Sequence, residues 1–167
     1  MFRRVLPAVL FSVLCSVANA DGTATEEDKN NRISLDPQDC RNTRNGANCT
    51  LILACIGNDG LWFQGHAVGW GEQGTLGGVI SDGTSCTGTW TSNTWFGGGE
   101  SRLQCDDGTS ARVYYLSQDP VTGTVFGQGI DSNERRIKVW TGENVVEFLS
   151  QGRDAAELPC DVTIPIG

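Results

Sequence analysis

The hydrophobic and polar positions of this chain form short runs that are separated by turn residues. Thr50–Ile56 is a continuous apolar run, short enough to be a buried β-strand. Asn58-Asp59-Gly60 predicts a hairpin turn, because Asp-Gly readily adopts the positive φ angles of tight turns. Leu61–Phe63 is the predicted return strand. Asp-Gly recurs at 82–83 and 107–108, which predicts two more turns of this kind.

The same pattern continues along the rest of the chain. Further strands are predicted at residues 76–80, 85–91, 101–105, 110–116, 122–129 and 135–140. In the alternating run 85–91, Cys86, Gly88 and Trp90 fall on one face and the threonines on the other. Short strands and regularly spaced turns of this kind predict an all-β, mainly antiparallel fold, either a small barrel or a sandwich.

One segment near the C-terminus departs from this rhythm. In Glu143–Leu149 the apolar residues have helical spacing, which predicts a short helix that packs across an open end or edge of the sheet. Thr141 or Gly142 could begin the helix and Gly152 could end it. A strand is the alternative, since Val-Val and Phe suit either state. The segment from Cys160 to Ile164 is predicted to be extended.

The N-terminus has the features of a secretory signal peptide, predicted over residues 1–20. A basic start is followed by an apolar run at Val5–Val17 and by Ala18-Asn19-Ala20, which fits a cleavage site after Ala20. The run is too short for a membrane anchor, because a helix needs about 20 residues to cross a bilayer. Residues 21–39 are polar and acidic and are predicted to be flexible, and residues 40–167 are predicted to form a single domain. The predicted location is therefore periplasmic or secreted.

Cysteine usage agrees with export. Cleavage would remove Cys15 and leave an even set, which in an oxidising compartment predicts disulfides rather than a zinc site. The members of this set are Cys40, Cys49, Cys55, Cys86, Cys105 and Cys160. Cys86 with Cys105 is the favoured pair, because the two lie on consecutive predicted strands. Cys40 with Cys49 would close a small loop, and Cys55 with Cys160 would then join the first core strand to the last segment.

Charge limits the classes of partner. The formal net charge is −8, and it becomes −10 without residues 1–20, because Arg3 and Arg4 are lost and no acidic residue is. A net anion without a concentrated basic patch is not expected to bind nucleic acid or, after signal cleavage, a membrane surface. A single histidine excludes a multi-histidine metal site, and we expect neither a metal nor another cofactor.

Candidate catalytic residues are few. His66 is a weak candidate for a general base, because histidine titrates near neutral pH. The acidic residues that could assist it lie in predicted turns, where aspartate is favoured for its backbone hydrogen bonds. They are Asp59, Asp106, Asp107, Asp131 and Glu134. No Gly-x-Ser-x-Gly nucleophile motif is present.

The five tryptophans offer a different kind of chemistry. Trp62, Trp90 and Trp140 lie within apolar or alternating runs, where each indole is expected to fill the core and cover glycines on a neighbouring strand. Trp95, followed by Phe96 and Gly97-Gly98-Gly99, lies in a predicted loop. Trp95 and Phe96 are therefore the candidate binding residues, because an exposed aromatic side chain suits a sugar or a hydrophobic partner.

The stretch from Cys86 to Leu149 resembles uncharacterised secreted β-rich proteins of Gram-negative bacteria. The resemblance lies in Cys86–Trp90, Leu103–Gly108, Thr122–Thr124 and Val139–Val145 ahead of Phe148-Leu149. It implies an exported β-rich protein and no particular mechanism.

These observations favour an exported, non-enzymatic β-domain that binds a protein or a glycan through its surface. The alternatives are a small hydrolase that uses His66 with turn carboxylates, and a secreted enzyme inhibitor that presents the Trp95 loop.

Overall fold

The computed structural model describes residues 48–166 of the 167-residue chain, and they form a closed antiparallel β-barrel with a C-terminal extension. The barrel strands are β1 (Asn48–Ile56), β2 (Leu61–Trp70), β3 (Gln73–Ile80), β4 (Ser85–Thr91), β5 (Gly99–Cys105), β6 (Ser110–Gln118), β7 (Val125–Asp131) and β8 (Arg136–Gly142). The extension consists of helix α1 (Val145–Ser150) and a hairpin of β9 (Ala156–Leu158) and β10 (Ile164–Ile166). The predicted signal peptide, the segment 21–39 and Cys40 lie outside the described residues.

Of the two predicted architectures, the barrel is the observed one. Each strand pairs with the next along the chain, and β8 returns to pair with β1 from Leu51↔Gly142 to Ile56↔Ile137. The Asp-Gly turns form as predicted: Gly83 has φ 94° and Gly108 has φ 85°, values that a side chain would make costly.

The apolar run of β1 is explained by burial on both faces. Ile52, Ala54 and Ile56 point into the barrel, whereas Leu53 and Cys55 point outward. The outward residues are covered by α1 and the β9–β10 hairpin, which complete a second core outside the barrel. A strand with water on one face would alternate between apolar and polar residues, and β1 does not, because it has no water-facing side over this stretch.

The helix is confirmed, but its predicted ends are wrong. Thr141 and Gly142 belong to β8, α1 is preceded by Asn144, and Gln151 ends it in the left-handed region at φ 50°. The position of the helix also differs from the prediction. A closed barrel has no free edge, so α1 packs Val145 and Leu149 into the core on the outer surface, beside Trp62 and Trp140.

The predicted extended segment Cys160–Ile164 is only partly extended in the structure, where β10 begins at Ile164. Cys160 lies between β9 and β10 rather than at the start of a strand. It forms a disulfide with Cys55, which attaches the hairpin to the barrel wall.

Candidate functional site: the open end of the barrel and its outer strip

The barrel has two different ends. The turns after β1, β3, β5 and β7 lie at one end, which we call the closed end, and the turns after β2, β4 and β6 lie at the other, the open end. At the closed end the interior is filled by large apolar side chains and leaves a residual space of only about 40 Å³. The carboxylate of Asp131 is buried there and accepts hydrogen bonds from the Arg135 guanidinium Nε (2.7 Å) and backbone N–H (2.9 Å).

Smaller inward-facing residues leave a cavity of about 470 Å³ at the open end. A larger side chain at any of these inward positions would project into the cavity. The small residues there are Thr50, Ala67, Gly99 and Thr141. The cavity is bounded below by Ile52 and Leu76. None of the described residues that line it carries a charge.

Two large aromatic side chains, Trp90 and Tyr115, line the cavity, and each lies against glycine. A Cβ added at Gly74 would be 2.7 Å from the indole nitrogen of Trp90, so the ring lies directly on the β3 backbone. Trp90 donates a long hydrogen bond from Nε1 to the Val68 carbonyl (3.4 Å). The expectation that an indole covers glycines on a neighbouring strand is confirmed here.

Tyr115 occupies the equivalent place on β6. Its ring lies over Gly127, and its hydroxyl is within 3.1 Å of the buried Ser101 hydroxyl. Burial raises the pKa of Tyr115, and the Ser101 hydrogen bond offsets part of that rise. The phenol therefore stays neutral at any physiological pH.

A second feature lies on the outside of the barrel near the open end, and we call it the outer strip. Cross-strand pairing sets two parallel rows of outward side chains over β2 to β6. The first row is Trp70, Gln73, Thr91, Glu100 and Tyr114, and the second is Val68, Thr75, Thr89, Arg102 and Arg112. Four strand spacings of about 4.8 Å give the strip a length of roughly 19 Å. An open groove of about 800 Å³ follows its β2–β5 part.

The charged groups of the outer strip are paired with one another. The Glu100 carboxylate contacts the Arg102 guanidinium and lies 3.5 Å from Arg112 Nε. Arg112 also donates to the Tyr114 hydroxyl (3.3 Å), and this bond is the main reason why the pKa of Arg112 is raised. Glu100 is largely shielded by its partners, whereas both arginines keep about half or more of their side chains exposed to solvent. The strip thus presents guanidinium donors that are already held in place.

Aromatic side chains stand at both ends of the strip. Trp70 is 55% exposed at the β2 end. At the β6 end, Phe96 packs edge-on against Tyr114 and Trp95 packs edge-on against Phe96, each at 5.7 Å between ring centroids. Trp95 is 96% exposed, as the sequence predicts.

The loop at one end of the strip is hydrogen-bonded to the turn at the other end. Ser92 donates its backbone N–H to the Glu72 carbonyl (2.8 Å), and Asn93 Nδ2 donates to the Glu72 carboxylate (2.8 Å). These bonds connect the β4–β5 loop, which carries Trp95, to the β2–β3 turn beside Trp70. The spacing between the two ends is therefore set by the fold before any ligand binds.

The structure does not bring the predicted catalytic candidates together. His66 is half-buried in the middle of β2, opposite Leu51 and Gly77, and points outward. The predicted turn carboxylates lie at the closed end, in the turns or, for Asp131, at the last position of β7. Those of Asp107 and Asp131 accept hydrogen bonds within their own turns, which is the role that turn aspartates commonly have.

The cysteines follow the predicted pairing where both partners are described. Cys86–Cys105 joins directly opposed residues of β4 and β5 inside the barrel, and Cys55–Cys160 spans 105 residues. Cys49 is disulfide-bonded, and its predicted partner Cys40 lies outside the described residues. Disulfides in this number indicate an oxidising compartment.

Residues 48–166 contain no cluster of three or more histidine, cysteine or acidic side chains that could hold a metal ion. No helix within the same residues has the length and apolar character needed to cross a bilayer.

Fold and surface together define a class: a disulfide-linked, eight-stranded antiparallel β-barrel with one open end and an aromatic and polar strip beside it. The sequence matches none of the protein families and none of the curated proteins with which we compared it. Among solved structures, a de novo designed fluorescence-activating β-barrel is similar, with 16% identity and a TM-score of 0.45. The match covers 56% of this chain and 90% of the designed one.

Sequence reasoning identified Trp95 and Phe96 but missed the rest of the strip. Trp70, Glu100, Arg102 and Arg112 are scattered over 43 residues and meet only through strand register. The available signal was the alternation within β5, where Glu100 and Arg102 both point away from the barrel interior.

Proposed function

We propose that this protein is an exported, non-enzymatic binding protein whose ligand is a glycan that lies along the outer strip. The observation that carries the proposal is the order of side chains across five strands: an exposed indole, then amide and hydroxyl groups, then a carboxylate paired with a guanidinium, then a second aromatic group. Both rows run across the strands, so a linear ligand can contact their members in sequence.

This order suits the chemistry of sugars. A pyranose ring has an apolar face that packs on an indole, and a rim of hydroxyl groups that both donate and accept hydrogen bonds. Arg102 and Arg112 supply donors, Gln73 supplies a donor and an acceptor, and the threonine hydroxyls supply both. Because Glu100 offsets the charge of one guanidinium, the strip does not require a strongly anionic ligand.

The pattern of residues 1–20 supports a location outside the cytoplasm, in the periplasm or the surrounding medium. Such a location exposes the domain to envelope or extracellular glycans. The disulfides agree with it, since they persist in oxidising compartments.

The test is a glycan array probed with the mature protein, followed by calorimetric titration of the glycans that bind. We expect Trp70→Ala and Arg102→Ala each to weaken binding by about tenfold or more, since the first removes the indole that stacks on a sugar ring and the second removes guanidinium donors. Val79→Ala is the matched control, because Val79 is 47% exposed on the outer face of β3 but lies outside both rows. An array without any bound glycan, or Trp70→Ala with unchanged affinity, would contradict the proposal.

A protein partner is the second candidate, and it is favoured by the Trp95 loop. The exposed indole of Trp95 at the end of a hydrogen-bonded loop could enter a cleft, including that of an inhibited enzyme. Trp95→Ala separates the two functions. It would abolish capture of a protein partner while leaving the Trp70 end of the glycan strip intact.

A further inference from the structure

We infer that the open end of the barrel is a second binding site, which takes an uncharged, largely apolar small molecule independently of the outer strip. The site is the cavity of about 470 Å³ bounded by Trp90 and Tyr115. Its volume falls within the range of about 300–1,000 Å³ that is usual for small-molecule sites.

The contrast between the two halves of the interior supports this assignment. The side chains of the closed half leave a residual space of only about 40 Å³. A barrel of this size can therefore be filled by its own side chains, and the open half is not. In the open half most inward positions carry small residues, and the two large rings, Trp90 and Tyr115, lie against glycine backbone. The cavity thus has aromatic side chains in its wall and unfilled space between them.

The lining specifies the chemical class of the ligand. Part of the lining is apolar, with Ile52, Ala67 and Leu76, and it disfavours groups that need hydration. The rest carries neutral hydroxyl and amide groups, from Thr50, Ser117, Gln118 and Thr141 among others. None of the described lining residues could pair with a charged ligand group, and burying an unpaired charge is strongly unfavourable.

Access to the cavity is also apolar. Leu116 lines the cavity and is 76% exposed, so its side chain bridges the interior and the solvent. The glycines 97–99 of the β4–β5 loop form the neighbouring part of the rim. An apolar molecule can therefore pass from the rim to the floor without crossing a charged group among the described residues.

The test uses two fluorescent probes with the same aromatic skeleton. N-phenyl-1-naphthylamine is neutral, whereas 8-anilino-1-naphthalenesulfonate carries one negative charge. Both are titrated against the mature protein in about 0.5 M NaCl, where long-range repulsion by the acidic protein is screened. We expect the neutral probe to bind with at least about tenfold higher affinity than the sulfonate.

Two variants locate the bound probe. Ala67→Phe and Val125→Phe fill the cavity from different walls and should each weaken binding of the neutral probe by about tenfold or more. Val79→Phe is the control: it adds the same ring to the outer surface and should leave the affinity unchanged. Circular dichroism and thermal unfolding identify any variant that fails to fold. If one filling variant does not fold, the probe affinity of the other tests whether the probe binds in the cavity.

Three outcomes would overturn the inference. They are no binding of the neutral probe, equal affinity for the sulfonate, and unchanged affinity in a folded cavity-filling variant. The site is separable from the glycan strip, because Trp70→Ala should leave probe binding intact and Ala67→Phe should leave glycan binding intact. Failure of either proposal therefore does not imply failure of the other.

Discussion

Two adjacent glycines on β3 should respond very differently to the same substitution. Gly78 faces the barrel interior, where a Cβ would be 2.2 Å from the Gln64 carbonyl oxygen and 2.5 Å from Phe63 Cζ. Gly77 faces outward, and its nearest atoms would be 3.6 and 3.8 Å away, at ordinary van der Waals distance. Neither glycine has a positive φ, so the difference between them is a matter of space alone.

The expected magnitudes follow from these contacts. Overpacking a well-packed site costs about 1–3 kcal/mol, and Gly78→Ala should lie at or above the upper end, because a backbone oxygen cannot move as a side chain can. Gly77→Ala should be neutral or stabilising by about 0.4–1 kcal/mol, since alanine restricts the unfolded chain. The two variants should therefore differ by about 3 kcal/mol or more in free energy of unfolding.

The assay is equilibrium urea denaturation of both variants and the parent protein, followed by tryptophan fluorescence. If the two variants have the same free energy of unfolding, Gly78 does not lie against the Gln64 carbonyl oxygen and the Phe63 ring. The inward position assigned to Gly78, and with it the register of β3 against β2, would then be wrong.

Two further predictions concern the disulfides and the response to acid. Replacing Cys55 and Cys160 with alanine should lower the free energy of unfolding by about 5 kcal/mol, and replacing Cys86 and Cys105 should lower it by about 3 kcal/mol. The reason is that the two disulfides close loops of 105 and 19 residues. The opposite order in urea denaturation would contradict this loop-entropy account. Backbone and hydroxyl hydrogen bonds from Thr122 lower the pKa of Asp119 below its ordinary value of 3.8. Because the folded pKa is the lower one, this stabilisation is present above about pH 4 and is lost as the pH falls through the folded value. The melting temperature should therefore fall less between pH 7 and pH 3 in Asp119→Asn than in the parent protein, and an equal fall would refute this role for Asp119.

The strands, the turns and one disulfide could be predicted from residues that lie close together in the chain. Alternation placed Cys86, Gly88 and Trp90 on one face, and Asp-Gly pairs marked turns, because these features depend on residues close in the chain. The exposure of Trp95 was predictable for the same reason, since it lies in a glycine-rich loop. The Cys86–Cys105 pair followed from two consecutive strands, which pair directly in an antiparallel sheet.

The tertiary structure decided what depends on distant residues. Closure of β8 on β1 chose the barrel over the sandwich, and α1 packs on the outer wall instead of across the predicted open end or edge of the sheet. Strand register assembled the outer strip from Trp70 to Tyr114, because residues on five strands become neighbours only when every pairing is set. Side-chain volume across the closed interior decided which half of the barrel is filled and which is open. The alternating pattern of each strand marks which residues face inward, but the space they leave is a property of all eight strands together.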